Sequence, residues 1–130
     1  MKIKFRILLI IWIVVMLTVS SIPDLRIIPQ WHLTWKDKIS HFVEYAIFAL
    51  LFLLMLKQEN RITNHKKTFL TVLFFGLLLA IIDELHQLFI PGRSTDVLDI
   101  VADSFGIVIV SIIFNLINNH RLRLVRVRKK

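Results

Sequence analysis

Four largely apolar stretches of the chain, residues 5–22, 39–56, 68–90 and 97–117, approach the length a helix needs to cross a bilayer, about 20 residues. The third is free of charge from Phe69 to Ile82 and is completed by its polar end. Hydrocarbon offers no water to pair with peptide groups, so each run has to satisfy its own backbone as a helix. The expectation is an all-α polytopic membrane protein with four transmembrane helices. It would form a single transmembrane domain over residues 1–130, with a basic cytoplasmic tail from residue 118. Composition agrees, since 56% of the residues are hydrophobic, more than an ordinary soluble domain carries.

The first run follows Lys2, Lys4 and Arg6 and is interrupted between residues 7 and 19 only by Thr18. A basic start with Val19 and Ser21 near the end also fits a cleavable leader, but the run is long enough to span. The connection over residues 23–38 holds Trp31, His32 and Trp35, and tryptophan suits an interface where the ring is buried and the indole N–H is wet. The chain has no cysteine, which excludes disulfides and thiolate metal sites.

Lys and Arg exceed Asp and Glu by eight. In so apolar a chain this excess reads as membrane topology and attraction to anionic headgroups, with the lipid bilayer as partner and no nucleic acid. Thirteen of the 17 basic residues lie ahead of the first run, in residues 57–67 or in the tail, and four lie in the other two connections. The positive-inside rule then puts both termini in the cytoplasm of a multi-pass cell-membrane protein. Eight of the nine carboxylates fall on the opposite, outward side, Glu59 being the exception.

Most of those acids lie in or beside residues 83–106, which pack Asp83, Glu84, His86, Gln87, Arg93, Asp96, Asp99 and Asp103 into one hairpin between apolar runs. Asp96 suits a helix cap and Pro91-Gly92 a turn, but neither role accounts for Asp83, Glu84 or Asp103. Ionisable groups in hydrocarbon are costly unless paired or hydrated, so their clustering points to function. Asp37, His41 and Glu44 share one face of the second helix at i, i+4 and i+7. Counting from the expected outer helix ends, Glu44, Asp83 and Asp103 come roughly 10 Å inside, with His41, Gln87 and Asp99 about 5 Å inside. Asp37, Arg93 and Asp96 would form the mouth of this outward polar funnel. Crowded carboxylates are stable there if some hold protons, meet Arg93 or a histidine, or bind a cation.

On these residues the chain resembles the VanZ-like membrane protein family. The resemblance rests on DKISHFVEYAIFALL, with Asp37, Lys38, His41, Phe42 and Tyr45, and on DELHQLFIPGRSTDVLDIVADSFG, with Asp83, Glu84, Gln87, Phe89, Pro91, Gly92, Arg93, Asp96, Asp99, Asp103 and Gly106. Asp103 departs from the Asn that many members carry, and a late glycine near Val110 is missing. The resemblance implies a cell-envelope protein, and the namesake is linked to low-level resistance to the glycopeptide teicoplanin.

Three functional readings follow. In the first, the funnel engages a lipid-linked envelope precursor, a lipid headgroup or a glycopeptide through Asp37, His41, Tyr45, Gln87 and Arg93, with Trp31 and Trp35 stacking at the interface. In the second, an intramembrane enzyme acts on an envelope lipid, with His41, Glu44, Asp83, Glu84, Asp99 and Asp103 as candidate catalytic groups and Arg93 as a phosphate ligand. Oxygen ligands from Glu44, Asp83, Asp99 and Asp103 would suit a hard divalent cation such as Mg2+ or Ca2+. A proton or ion pathway is the third reading, and the apolar inner halves of the helices argue against it. His86, His32, His65 and His120 read as interfacial or solvated, and Gly76 and Gly106 as sites of close helix approach.

Overall fold

The structure, a computed structural model, describes residues 3–23, 34–62 and 64–128. Trp31 and His32 lie outside the described residues. Among the described residues there are four helices: α1 (Lys4–Ser20), α2 (Thr34–Gln58), α3 (His65–Gln87) and α4 (Val97–Arg128). Three segments, Trp35–Gln58, His65–Gln87 and Val97–Asn118, are long and apolar enough to cross a membrane. α1 has 17 residues, about 26 Å of helix at 1.5 Å per residue.

The helix ends depart from the hydropathy pattern for local reasons. α2 starts at residue 34 instead of 39, because the polar stretch before Ile39 contains no breaker and puts Asp37 in the first turn, where the helix dipole favours an acid. α3 starts at residue 65, where the Asn64 side chain caps it by accepting from the backbone N–H of Lys66 at 2.9 Å and Lys67 at 3.2 Å. It stops at Gln87, not at residue 90. Leu88, Phe89 and Ile90 are apolar yet turn out of the helix, since Pro91 disfavours helical geometry before it and Gly92 takes a φ of 81°. α4 runs past residue 117, so the expected tail begins as helix. No glycine or proline follows Gly106 to end it.

α2 is the spine of the bundle, packing most extensively on α4 and also on α1 and α3. Tyr45, Ala49 and Leu53 of α2, Val72 and Ala80 of α3 and Ile107 of α4 are fully buried. Two glycines allow this fit. A Cβ on Gly106 would overlap the carbonyl oxygen of Phe42, and one on Gly76 would overlap the Ile107 side chain. The outward faces are apolar: Phe74, Leu78, Ile82 and Leu85 on α3, and Ile109, Ile112, Ile113 and Leu116 on α4, are exposed. The buried set meanwhile includes His41, Asp83, Glu84, Gln87, Asp99 and Asp103. Greasy outside and polar within is what lipid as solvent demands.

At the far end of the bundle, Arg6 and Arg61 both pair with Glu59, and Lys57 donates to Asn118 at 2.6 Å. His65 is not merely solvated, as its ring Nδ1 lies 3.0 Å from the Asn115 side-chain oxygen. These contacts tie α1, α2, α3 and α4 together opposite the acidic end.

Candidate functional site

The sequence spacing on α2 brings Asp37, Ser40, His41 and Glu44 onto one stripe, and all four line a cavity of about 100 Å³. Asp83 and Gln87, one turn apart on α3, form the facing wall. Val19 and Ser20 at the end of α1, with Arg93 from the α3–α4 loop, complete it. Three helices and a loop therefore converge on the cavity.

Arg93 spans the mouth. Its guanidinium lies 3.4 Å from the carbonyl oxygens of Val19 and Ile22, which it approaches as donor, and 3.6 Å from an Asp37 carboxylate oxygen. The first two contacts place a cation at the C-terminal end of α1, where carbonyls lack helical partners. His86, expected to have no fixed partner, meets the Ser21 hydroxyl at 2.9 Å and pins the same end. Deeper along α1, the Trp12 indole N–H donates to the carbonyl of Glu44 at 3.0 Å.

Behind the cavity, the α2–α4 seam carries two stacked polar contacts, one from Lys38 and one from His41. Lys38 donates to Asp96 at 2.6 Å and to Asp99 at 2.9 Å, and His41 Nδ1 lies 3.1 Å from Asp103. Asp99 and Asp103, one turn apart on α4, would repel if left alone. Each instead has its own α2 partner, Lys38 and His41 being three residues apart. The Asp96 carboxyl is held below its usual range by the hydrogen bond from Lys38 and by the Leu98 backbone N–H, which it caps at 2.9 Å.

The neighbours Asp83 and Glu84 have separate duties. Glu84 Oε2 accepts the backbone N–H of Asp96 at 3.0 Å, fastening the loop to α3 away from the cavity wall. Asp83 Oδ2 receives a long 3.4 Å contact from Gln87. Its other oxygen, Oδ1, has no partner although the residue is only 3% exposed, and the same holds for Ser20 Oγ at 5%. Tyr45 is fully buried with its hydroxyl unpaired, so neither Glu44 nor Asp83 satisfies it. Asp103 Oδ2 and Glu84 Oε1 are likewise unpaired.

Of the residues singled out from sequence, Asp37, His41, Glu44, Asp83, Gln87 and Arg93 line the cavity. Asp99 and Asp103 stand in the seam behind His41, Glu84 holds the loop, and Tyr45 belongs to the core. The expected mouth loses Asp96, which turns to Lys38. Ser20 and Ser40 were missed, and Lys38, named only as part of the family resemblance, was given no role in the site; the spacing of Lys38 and His41 on α2, against that of Asp99 and Asp103 on α4, is a signal that would have assigned it one.

Among the described residues, the donors close enough together for one metal ion are those of Asp37, His41 and Asp99, all within 4.8 Å of one another. Each is already engaged, Asp99 by Lys38, Asp37 by Arg93 and His41 by Asp103. The oxygen set Glu44, Asp83, Asp99 and Asp103 is divided between cavity and seam, so the fit to a hard divalent cation is poor.

A family model described as VanZ/LLP1 matches residues 5–118, which include every residue of the cavity and the seam. No curated protein and no solved structure gives a significant match.

Proposed function

The chain belongs to the VanZ/LLP1 family, and from that premise we propose that this membrane protein works in the cell envelope, holding the polar headgroup of an envelope component in its cavity. The observation that carries this is the convergence of Asp37, His41, Glu44, Asp83 and Arg93 on one small cavity inside an otherwise lipid-facing bundle. In this reading α1 is the fourth span, since it packs along α2 and turns Ile7, Ile10, Ile11 and Val14 outward. The single domain has both termini in the cytoplasm by the distribution of Lys and Arg, so the cavity faces outside.

Size limits the ligand. Drug-sized molecules occupy pockets of roughly 300–1,000 Å³, whereas this cavity of about 100 Å³ admits a headgroup fragment and not an entire glycopeptide. Any effect on teicoplanin would then be indirect, through a lipid or lipid-linked precursor that the antibiotic also encounters. The test is teicoplanin susceptibility of cells expressing wild type, Asp83→Asn or Arg93→Ala at equal membrane levels. Protection by wild type that both variants lose supports the reading, and equal protection by all three refutes it.

One observation favours a second reading, an intramembrane enzyme acting on an envelope lipid. His41 lines the cavity while Asp103, wholly buried, lies against its Nδ1. With Nδ1 protonated, the carboxylate would orient the ring and leave Nε2 as a general base. Turnover of a lipid-linked precursor by purified protein, abolished in His41→Gln, would establish it; an inert wild type would remove it.

A further inference from the structure

Resting on the cavity as a headgroup site, we propose that the group it accepts is a primary ammonium. Among the described residues the lining offers three carboxylates, Asp37, Glu44 and Asp83, against one guanidinium and the His41 imidazole; His41 is engaged from behind by Asp103, and Arg93 is drawn aside to Asp37 and the end of α1. That balance disfavours an anionic phosphate inside the cavity.

The independent observation is a pair of buried atoms without partners. Asp83 Oδ1 and Ser20 Oγ belong to residues that line the cavity from facing helices, and both residues are more than nine-tenths buried. A carboxylate oxygen can only accept, and a hydroxyl can accept as well as donate. A buried acceptor left unmatched is costly, so the complementary guest is rich in N–H donors. An ammonium supplies three, from a compact group that a small cavity can hold. A quaternary ammonium has no N–H, and sites that bind one use the faces of Trp, Tyr or Phe; among the described residues none of these lines the cavity. A divalent metal is also the poorer match, because among the described residues the donors near enough together for one ion do not include Asp83.

The experiment is calorimetric titration of the full-length protein in detergent with four probes: short-chain phosphatidylethanolamine, phosphatidylcholine, phosphatidylglycerol and free ethanolamine. Phosphatidylethanolamine should bind more tightly than the choline and glycerol lipids by about tenfold or more, an interval of one charge-assisted contact. Asp83→Asn and Glu44→Gln should each erode that preference, the second serving if the first does not fold, as judged by size-exclusion chromatography. Ethanolamine binding as well as its lipid would assign the ammonium to a soluble amine, and weaker binding would assign it to a lipid; either supports the proposal. Equal binding of ethanolamine and glycerol lipids, equal binding of the choline lipid, or a preference untouched by both substitutions overturns it. If one of those results accompanies loss of teicoplanin protection in Asp83→Asn, the headgroup reading survives and only the ammonium falls.

Discussion

His41 of α2 meets Asp103 of α4 at 3.1 Å across a seam where both side chains are almost wholly buried. Directly above, Lys38 does the same for Asp99. The cavity is thus backed by a wall whose acids each meet a basic side chain of α2, although Asp103 Oδ2 stays unpaired, while among the acids that face the cavity Asp37 meets Arg93 only at 3.6 Å and Asp83 Oδ1 has no partner. Removing charge from the wall and removing it from the cavity should have different consequences.

Asp103→Leu strands the imidazole of His41 in the seam and should destabilise the protein by about 3 kcal/mol, the range for breaking one half of a buried pair. Asp103→Asn keeps an acceptor for Nδ1 and should cost clearly less. Thermal unfolding of the two variants in the same detergent checks the order. If Leu proves no worse than Asn, the pair is not what closes the seam.

Gly106 lets the backbones of α2 and α4 touch. Gly106→Ala puts a methyl group into the Phe42 carbonyl, with the Ala46 amide nitrogen only 3.0 Å away, and neither is a flexible side chain. We expect a loss of about 1–3 kcal/mol and an unfolding temperature well below that of a control such as Leu116→Ala on the exposed face.

Asp96 predicts an acid-side signature. Its folded pKa lies below the ordinary value of 3.8, first through the Lys38 hydrogen bond, so its contribution is complete above that value and is lost as pH falls through the folded pKa. The side chain is 38% exposed, and solvent screens much of the effect. Asp96→Asn should therefore show a shallower decline in stability than wild type between about pH 4 and about pH 2, with the two curves parallel above about pH 5. Curves that stay parallel into the acid would contradict the Lys38 contact.

Arg93→Ala separates structure from ligand binding. Its contacts to Val19, Ile22 and Asp37 are all 3.4 Å or longer, so the stability change should stay below about 1 kcal/mol. Under the proposed function, the protection that the wild type gives against teicoplanin should nevertheless disappear in this variant, because the mouth of the cavity loses its bridge. Unfolding curves and susceptibility measured on the same variant decide the matter.

Hydropathy made the number of helices legible, because apolar runs of this length have little alternative in lipid. Their ends were less so. Trp35 to Lys38 look like a loop by polarity but are helical, and Leu88 to Ile90 look like helix but turn ahead of Pro91, since local backbone geometry outranks hydropathy over three or four residues. The stripe Asp37, His41 and Glu44 was readable from helical spacing, but the expected shared pocket of α2, α3 and α4 acids was not what formed: α1 takes the place of α4 in the cavity, and Asp99 and Asp103 stay in the seam. Pairings were not readable. Lys38 finds Asp99 61 residues away, and His86 finds Ser21 65 residues away, because helix rotation and register place them and neither is written in a single helix.

Gly106 and Phe42 leave the bundle with one stiff flank, for α2 and α4 cannot part there without prying backbone from backbone. The opposite flank is soft: α1 barely touches α3, and its end is moored by the long reach of Arg93 and one hydroxyl on His86. Under the proposed function, a headgroup would accordingly enter the interior sideways past α1, at a pace set by how readily the Arg93 and His86 moorings let go.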